Sequence, residues 1–419
     1  MSSLNQILTG GAVCALAAAA ASPAGAQIAF ERDHNKSVHE RAAEEHMPLG
    51  IHTGGFLMLP RLDLGVEFND NIYAAATGET EDTIFTVAPS VEFDSQWSVH
   101  RLNLYAGLTS RTFMDASDDN VVDWRVGAAG QLDVRRDAAI TGHLFTGRAT
   151  EPRNAASGPA NLREPIEYDY RDVGAAFAHN FNRIRASLGF ELDNYDYKDG
   201  QIIGGPVFDQ DFRDRDELDV IARLDYAISP DTALFGSVTH RTRDYDLNLP
   251  DRDSEGWRYL VGANFDLSAK VRGEIGVGYS NTSFDSPAFQ DVDGFAANAR
   301  VEWFPTQITT VTVSGLRDTL ESDVGGASSI TRSGGSVRVD HELRRDIVLN
   351  GEVEYDQDDY QSVDRNDDIS RGEIGVDWYV NRLVTAGAAF QRTSQNSSGL
   401  NRDRDFDVNQ LMFTISLRR

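Results

Sequence analysis

The chain has almost no cysteine, little basic charge and no long apolar run. Its single cysteine, Cys14, lies in an N-terminal stretch that reads as a leader, so the mature chain carries neither thiol nor disulfide. Such a chain suits an oxidising compartment and takes its stability from other sources. The 39 basic residues are outnumbered by 66 acidic ones, a formal charge of -27. That balance argues against a nucleic-acid partner, which requires basic patches. No segment is apolar over the roughly 20 residues that a membrane helix needs. A bilayer can still be crossed by β-strands, whose signal per segment is weaker.

Catalytic signatures are also missing. There is no Gly-x-Ser-x-Gly and no phosphate loop, and His143, His179 and His240 are scattered over three predicted strands. Asp251-x-Asp253-x-Glu255-Gly256 begins like a calcium loop, but its twelfth position is Gly262, which offers no carboxylate. His39, Glu40 and His46 lack the one-turn spacing of a zinc-protease pair. The expectation is a protein that is not an enzyme and has no cofactor and no metal.

Residues 1–26 read as a secretory signal peptide. Positions 7–21 are small, apolar and uncharged, and Ala24-Gly25-Ala26 before Gln27 is a cleavage signature, although the n-region has no Lys or Arg. Residues 27–54 form a polar periplasmic segment with His34, Lys36, His39, Arg41, Glu44, Glu45 and His46. Its sequence fits either a short helix over 38–46 or unstructured chain, placed ahead of the first strand.

What the sequence does have, from residue 55 to 419, is alternation. In Arg61-Leu-Asp-Leu-Gly-Val-Glu-Phe68, Leu62, Leu64, Val66 and Phe68 fall on one side of an extended chain. Arg61, Asp63, Gly65 and Glu67 fall on the other. About eighteen such ribbons follow one another, from 56–69 to 406–417. Short turns, such as Arg135-Arg136-Asp137 and Arg344-Arg345-Asp346, alternate with long polar connections, such as 151–165 and 198–216. An even count with short turns on one side and long loops on the other predicts an all-β, transmembrane, antiparallel up-and-down β-barrel of about 18 strands. Two aromatic girdles are expected, one of Phe93, Trp97, Phe181, Trp303, Phe304, Trp378 and Tyr379, the other of Phe113, Trp124, Tyr168 and Trp257. Acidic clusters at 117–120, 209–211, 356–359 and 401–405 read as solvated loops, or else as divalent-ion bridges to lipopolysaccharide phosphates or a field that repels anions.

The inward positions are mixed in sign. The lumen-lining candidates are Arg61, Glu67, Arg101, Tyr105, Arg125, Arg185, Arg258, Arg272, Glu274, Arg300, Glu302, Arg338 and Glu373. Opposite charges there can pair across neighbouring strands and hold register. The alternative is a path for an anionic or neutral polysaccharide, with Tyr105 stacking on sugars.

Pro48-Leu-Gly-Ile-x-x-Gly54-Gly-Phe-Leu-x-x-Pro60-x-Leu-x-Leu-Gly-Val-Glu-Phe-Asn-Asp-Asn-Ile-Tyr73 resembles the opening signature of a porin-like outer-membrane β-barrel family, the BBP2 group. Ala88-Pro-Ser-Val91, Trp97-Ser-x-His-x-Leu-Asn103 and Asp123-Trp-x-Val-Gly127 resemble it too. The resemblance covers roughly residues 48–419. Some members accompany exopolysaccharide export machinery, so it implies a barrel that assists secretion of an extracellular polysaccharide, with a periplasmic polysaccharide-export protein as partner. A diffusion porin for small polar solutes and a structural or adhesive barrel are the alternatives. Outer-membrane lipid, lipopolysaccharide and the barrel assembly machinery are the other expected partners, and the outer membrane is the expected location. Many barrels end in an aromatic residue, whereas this chain ends Leu417-Arg418-Arg419, which bears on the register of the last strand.

Overall fold

The structure is a computed structural model that describes residues 35–153, 161–247, 252–267, 270–322 and 324–419. The leader with Cys14, and His34, lie outside the described residues. The chain opens with helix α1 (Val38–Glu45) and a short strand β1 (Ile51–Thr53). It continues through β2 (Phe56–Asn69), β3 (Asp82–Ser95), β4 (Arg101–Phe113), β5 (Val121–Arg135), β6 (Ala138–Thr150), β7 (Glu167–Phe181) and β8 (Ile184–Tyr197). Two small strands, β9 (Gly200–Gln201) and β10 (Val207–Phe208), decorate the next loop. Then come β11 (Arg215–Ser229), β12 (Thr232–Tyr245), β13 (Ser254–Leu267), β14 (Val271–Phe284), β15 (Val292–Thr306) and β16 (Thr309–Leu320). The last are β17 (Ile330–Arg344), β18 (Ile347–Tyr360), β19 (Arg365–Trp378), β20 (Val384–Ser398) and β21 (Phe406–Arg418).

Each long strand pairs antiparallel with the strands next to it in the chain, β8 passing directly to β11. The first long strand, β2, pairs with both β3 and β21, so the sheet has no free edge. The eighteen long strands therefore close into the expected barrel. Closure pairs the first and last long strands within the wall, and internal pairing is what the hydrocarbon of a bilayer demands. At the seam Arg61 stands opposite Arg418 and Asn69 opposite Gln410, so the non-aromatic C-terminus keeps a regular register.

Alternation explains why these segments are strands and not soluble-core elements. Leu188, Val261, Val353 and Ile374 point away from the lumen and are highly exposed, while Asp63, Glu191, Asp225 and Asp377 on the other face are buried. This inverts a soluble protein and suits lipid outside with a polar interior. The start of β2, the end of β21 and the eight short connections share one rim, which places that rim in the periplasm. One connection turns on Asn182 at φ 58°, a left-handed conformation that Asn tolerates. The Gly54–Gly55 pair, with Gly54 at φ 60°, folds β1 back onto β2. Neither β1 nor the β9–β10 ribbon was expected from the sequence.

The girdles need correction. Trp97, Phe181, Trp303 and Trp378 are exposed on the outside near the periplasmic turns, and Trp124 and Trp257 near the outer loops. Phe304, Tyr379 and Tyr168 are buried, and Phe113 sits opposite the buried Ile84. All four turn inward. Trp303–Phe304 and Trp378–Tyr379 are adjacent pairs, and neighbours on a strand cannot both face lipid.

Candidate functional site

Lysine occurs only at 36, 198 and 270, so nearly every cation is arginine. Its planar fork grips carboxylates with two parallel bonds, which suits pairing along a wall. On the β11–β16 side, Arg223 donates to both Glu274 oxygens at 3.0 and 2.8 Å and to Asp225 at 2.8 Å, with its guanidinium 4.0 Å from the Phe235 ring. Arg241 holds Asp219 at 2.6 Å and Arg243 holds Glu217 at 3.0 Å. Arg272 and Arg300 share Glu302, the second at 3.2 Å, and Arg258 stands 3.3 Å from Asp318. These side chains surround a cavity of about 870 Å³.

The other candidates lie around the same inner face. Arg338 bridges Asp340 at 3.0 Å and Glu352 at 3.2 Å. Arg61 binds Asp63 at 2.7 Å, and Glu67 accepts from Gln410 at 2.7 Å across the seam. Arg125 lies 4.0 Å from the Phe145 ring. Tyr105 folds over Gly107. Arg185 is buried and lies opposite Asp225 in register. Glu373 faces Glu352 across a strand pair, and Arg101 is exposed at the start of β4. The Arg, Asp and Glu at 217, 219, 223, 241 and 243 belong to the site as much as the candidates do. For 217, 219 and 223 the alternation with Leu218, Val220, Leu224 and Tyr226 on β11 was the signal that could have found them.

The histidines divide. His179 sits outside between Phe177 and Phe181, and His240 packs on Trp257 and bonds Glu255 at 2.8 Å. His143 faces inward and touches Asp172 at 2.6 Å and Glu191 at 3.1 Å. The calcium-like carboxylates diverge, Asp253 accepting from the Tyr245 amide at 2.7 Å while Glu255 serves His240. Asp251 lies outside the described residues.

Helix α1 forms as one of the two readings of 38–46 expected, but it does not stand apart from the barrel. Ser37 and Glu40 close a capping box at its start, at 3.2 and 2.7 Å. Val38 and Ala42 pack against Val348 and Tyr379 of the inner wall, and the Val38 amide donates to Thr310 Oγ1 at 2.9 Å. Arg41 pairs with Glu342 at 2.9 Å, Arg272 reaches Glu40 at 2.8 Å, and His46 stacks on Tyr379 at 4.9 Å. The helix thus occupies one side of the periplasmic mouth. Burial pushes the Glu40 carboxyl up, but the Ser37 amide and the Arg272 guanidinium together hold it below its ordinary value.

At the outer rim, buried arginines sit on tyrosine rings. Arg213 lies 3.8 Å from Tyr197 and grips Glu151 with both nitrogens, one bond at 3.0 Å. Arg252 covers Tyr245 at 4.8 Å and binds Glu321 at 3.0 Å, and Arg365 covers Tyr360 at 4.4 Å and binds Asp367 at 2.6 Å. In the loop before β11, burial pushes the Asp214 carboxyl up to about 6, with Asp196, Asp211 and Asp246 adding to it against the Tyr197 amide.

The model of the family described as "Putative beta-barrel porin 2" matches residues 45–419. The chain belongs to that family. The porin-like barrel places it in the outer membrane. No curated protein matches the chain. Among solved structures it is similar to Pseudomonas aeruginosa OpdK with vanillate, at 12 % identity over 86 % of this chain and 99 % of that one, TM-score 0.49. It is also similar to Acinetobacter baumannii OccAB3, at 11 % identity over 88 % and 100 %, TM-score 0.49. Pseudomonas aeruginosa OccK2 with glucuronate matches at 11 % identity over 87 % and 98 %, TM-score 0.47.

Proposed function

We propose that this porin-family barrel is a diffusion pore for small polar solutes and not an enzyme. The observation that carries the reading is the inner wall, where paired Arg and carboxylate side chains surround a cavity of about 870 Å³. A wet, mixed-charge lumen replaces part of a polar solute's hydration without a deep binding step, as conduction requires. Helix α1 narrows the periplasmic mouth and sets how freely solutes pass. Polysaccharide export is the weaker reading. The apolar face of α1, Val38 and Ala42, is covered by the barrel's own wall and so is not offered to a periplasmic partner.

The test is planar-bilayer conductance of the purified full chain. Ohmic single-channel steps are expected, enlarged when α1 is detached by Val38→Asp. Silence in both proteins, with a loss of surface polysaccharide when the protein is deleted from its cell, overturns the reading in favour of export.

A further inference from the structure

On the inner face of β6, β7 and β8, His143 stands opposite Gly174, and Gly174 opposite Glu191. The glycine is what lets the outer two meet. A Cβ at 174 would lie 2.3 Å from His143 Cε1 and 3.1 Å from Glu191 Oε1. Across that gap His143 Nε2 comes to 3.1 Å from Glu191 Oε1, and Asp172, the preceding inward residue of β7, comes to 2.6 Å. The three ligand atoms lie within 4.8 Å of one another, and Glu191 is 5 % exposed.

The charges around them do not balance. Asp193 faces Asp172 on one side and Glu217 on the other, and among the described residues it makes no hydrogen bond or ion pair. On the β11–β12 side, Arg241 is engaged with Asp219 and Arg243 with Glu217. Even an imidazolium at 143 would leave three carboxylates facing a single cation. Half-buried negative charge of this kind calls for a counter-ion.

We propose that His143, Asp172 and Glu191 form a lumen-wall site for a first-row divalent cation of the zinc class, with Asp193 as a neighbouring carboxylate. One imidazole nitrogen with carboxylate oxygens is a borderline donor set that suits zinc, whereas calcium and magnesium favour all-oxygen cages. The ion replaces the Nε2 proton, which leaves to solvent.

The test is calorimetric titration of the metal-free, folded full chain with Zn²⁺ alone, folding being checked by heat-modifiable gel mobility. One saturable equivalent is expected. His143→Gln, whose amide can still bond the carboxylates, and Gly174→Ala, which closes the gap, should each weaken binding by about 10- to 100-fold. Asp209→Asn, in the outer-loop trio Asp199, Asp209 and Asp211, should leave it unchanged, and excess Ca²⁺ should not compete. No saturable binding by the wild-type chain, an affinity unchanged in both His143→Gln and Gly174→Ala, displacement by Ca²⁺, or a loss in Asp209→Asn would each overturn the proposal. The readout is independent of conductance, so a pore that conducts without binding Zn²⁺ contradicts this inference alone.

Discussion

The outer rim ties down its charges through buried arginines, whereas at the periplasmic rim α1 buries its apolar face on the wall and leaves its ion pairs partly exposed. At the outer rim Arg213 and Glu151 are 1 % and 3 % exposed. At the periplasmic rim Arg41 and Glu342 keep 26 % and 19 % of their side-chain surface open. Breaking a buried pair strands a charge without water, while exposed pairs contribute little. One wall thus carries buried ion pairs at the outer rim and partly exposed ones beside α1 at the opposite mouth.

Arg213→Met should have the largest effect. It leaves Glu151 buried without its cation and should cost about 3–5 kcal/mol of outer-rim stability, read as faster proteolysis in the loops at 151–166 and 198–214. Arg213→Met with Glu151→Gln should recover most of that loss. A single variant as protease-resistant as wild type would break the contrast.

Arg41→Ala is the matching cut at the other rim. Removing one partly exposed pair should cost about 1 kcal/mol or less. The barrel should melt unchanged while a probe on α1 gains mobility. A cooperative loss of the whole barrel would show that the helix is part of the core.

The smallest effect is on pH, and it has opposite signs at the two rims. Asp214 has a folded value of about 6, above the ordinary aspartate value. Its contribution is present at low pH and is lost as pH rises through about 6. Glu40 is held below 4.5, so its contribution is present above 4.5 and is lost as pH falls through its folded value. Acidifying from pH 7 to 5 should therefore immobilise a spin label at 208 and leave one at 44 unchanged, with the label at 44 loosening only at lower pH. Loosening of both labels on the first step would refute the assignment.

Much of the wall was legible in the sequence because period-two alternation in strands such as β5, β11 and β15 is local. The turns at 135–137 and 344–346 were legible for the same reason. What could not be read depends on which strands lie side by side. His143 meets Asp172 and Glu191 only through the β6–β7–β8 register, and no spacing along the chain marks that. Phe304 and Tyr379 were assigned to lipid by composition, and strand parity overrode it. The docking of α1 depends on Thr310, Val348 and Tyr379, which approach it only after the barrel closes. The strands β1 and β9–β10 are too short to show a period.

The most direct test of the barrel is a cysteine scan along β15 in a Cys14→Ser background, otherwise free of thiols. Single cysteines at 297 to 301 are exposed to a membrane-impermeant thiol reagent in intact liposomes. Labelling should occur at Asn298→Cys and Arg300→Cys and fail at Ala297→Cys, Ala299→Cys and Val301→Cys. Uniform labelling or uniform protection along these five positions would contradict a wall with water on one side and lipid on the other.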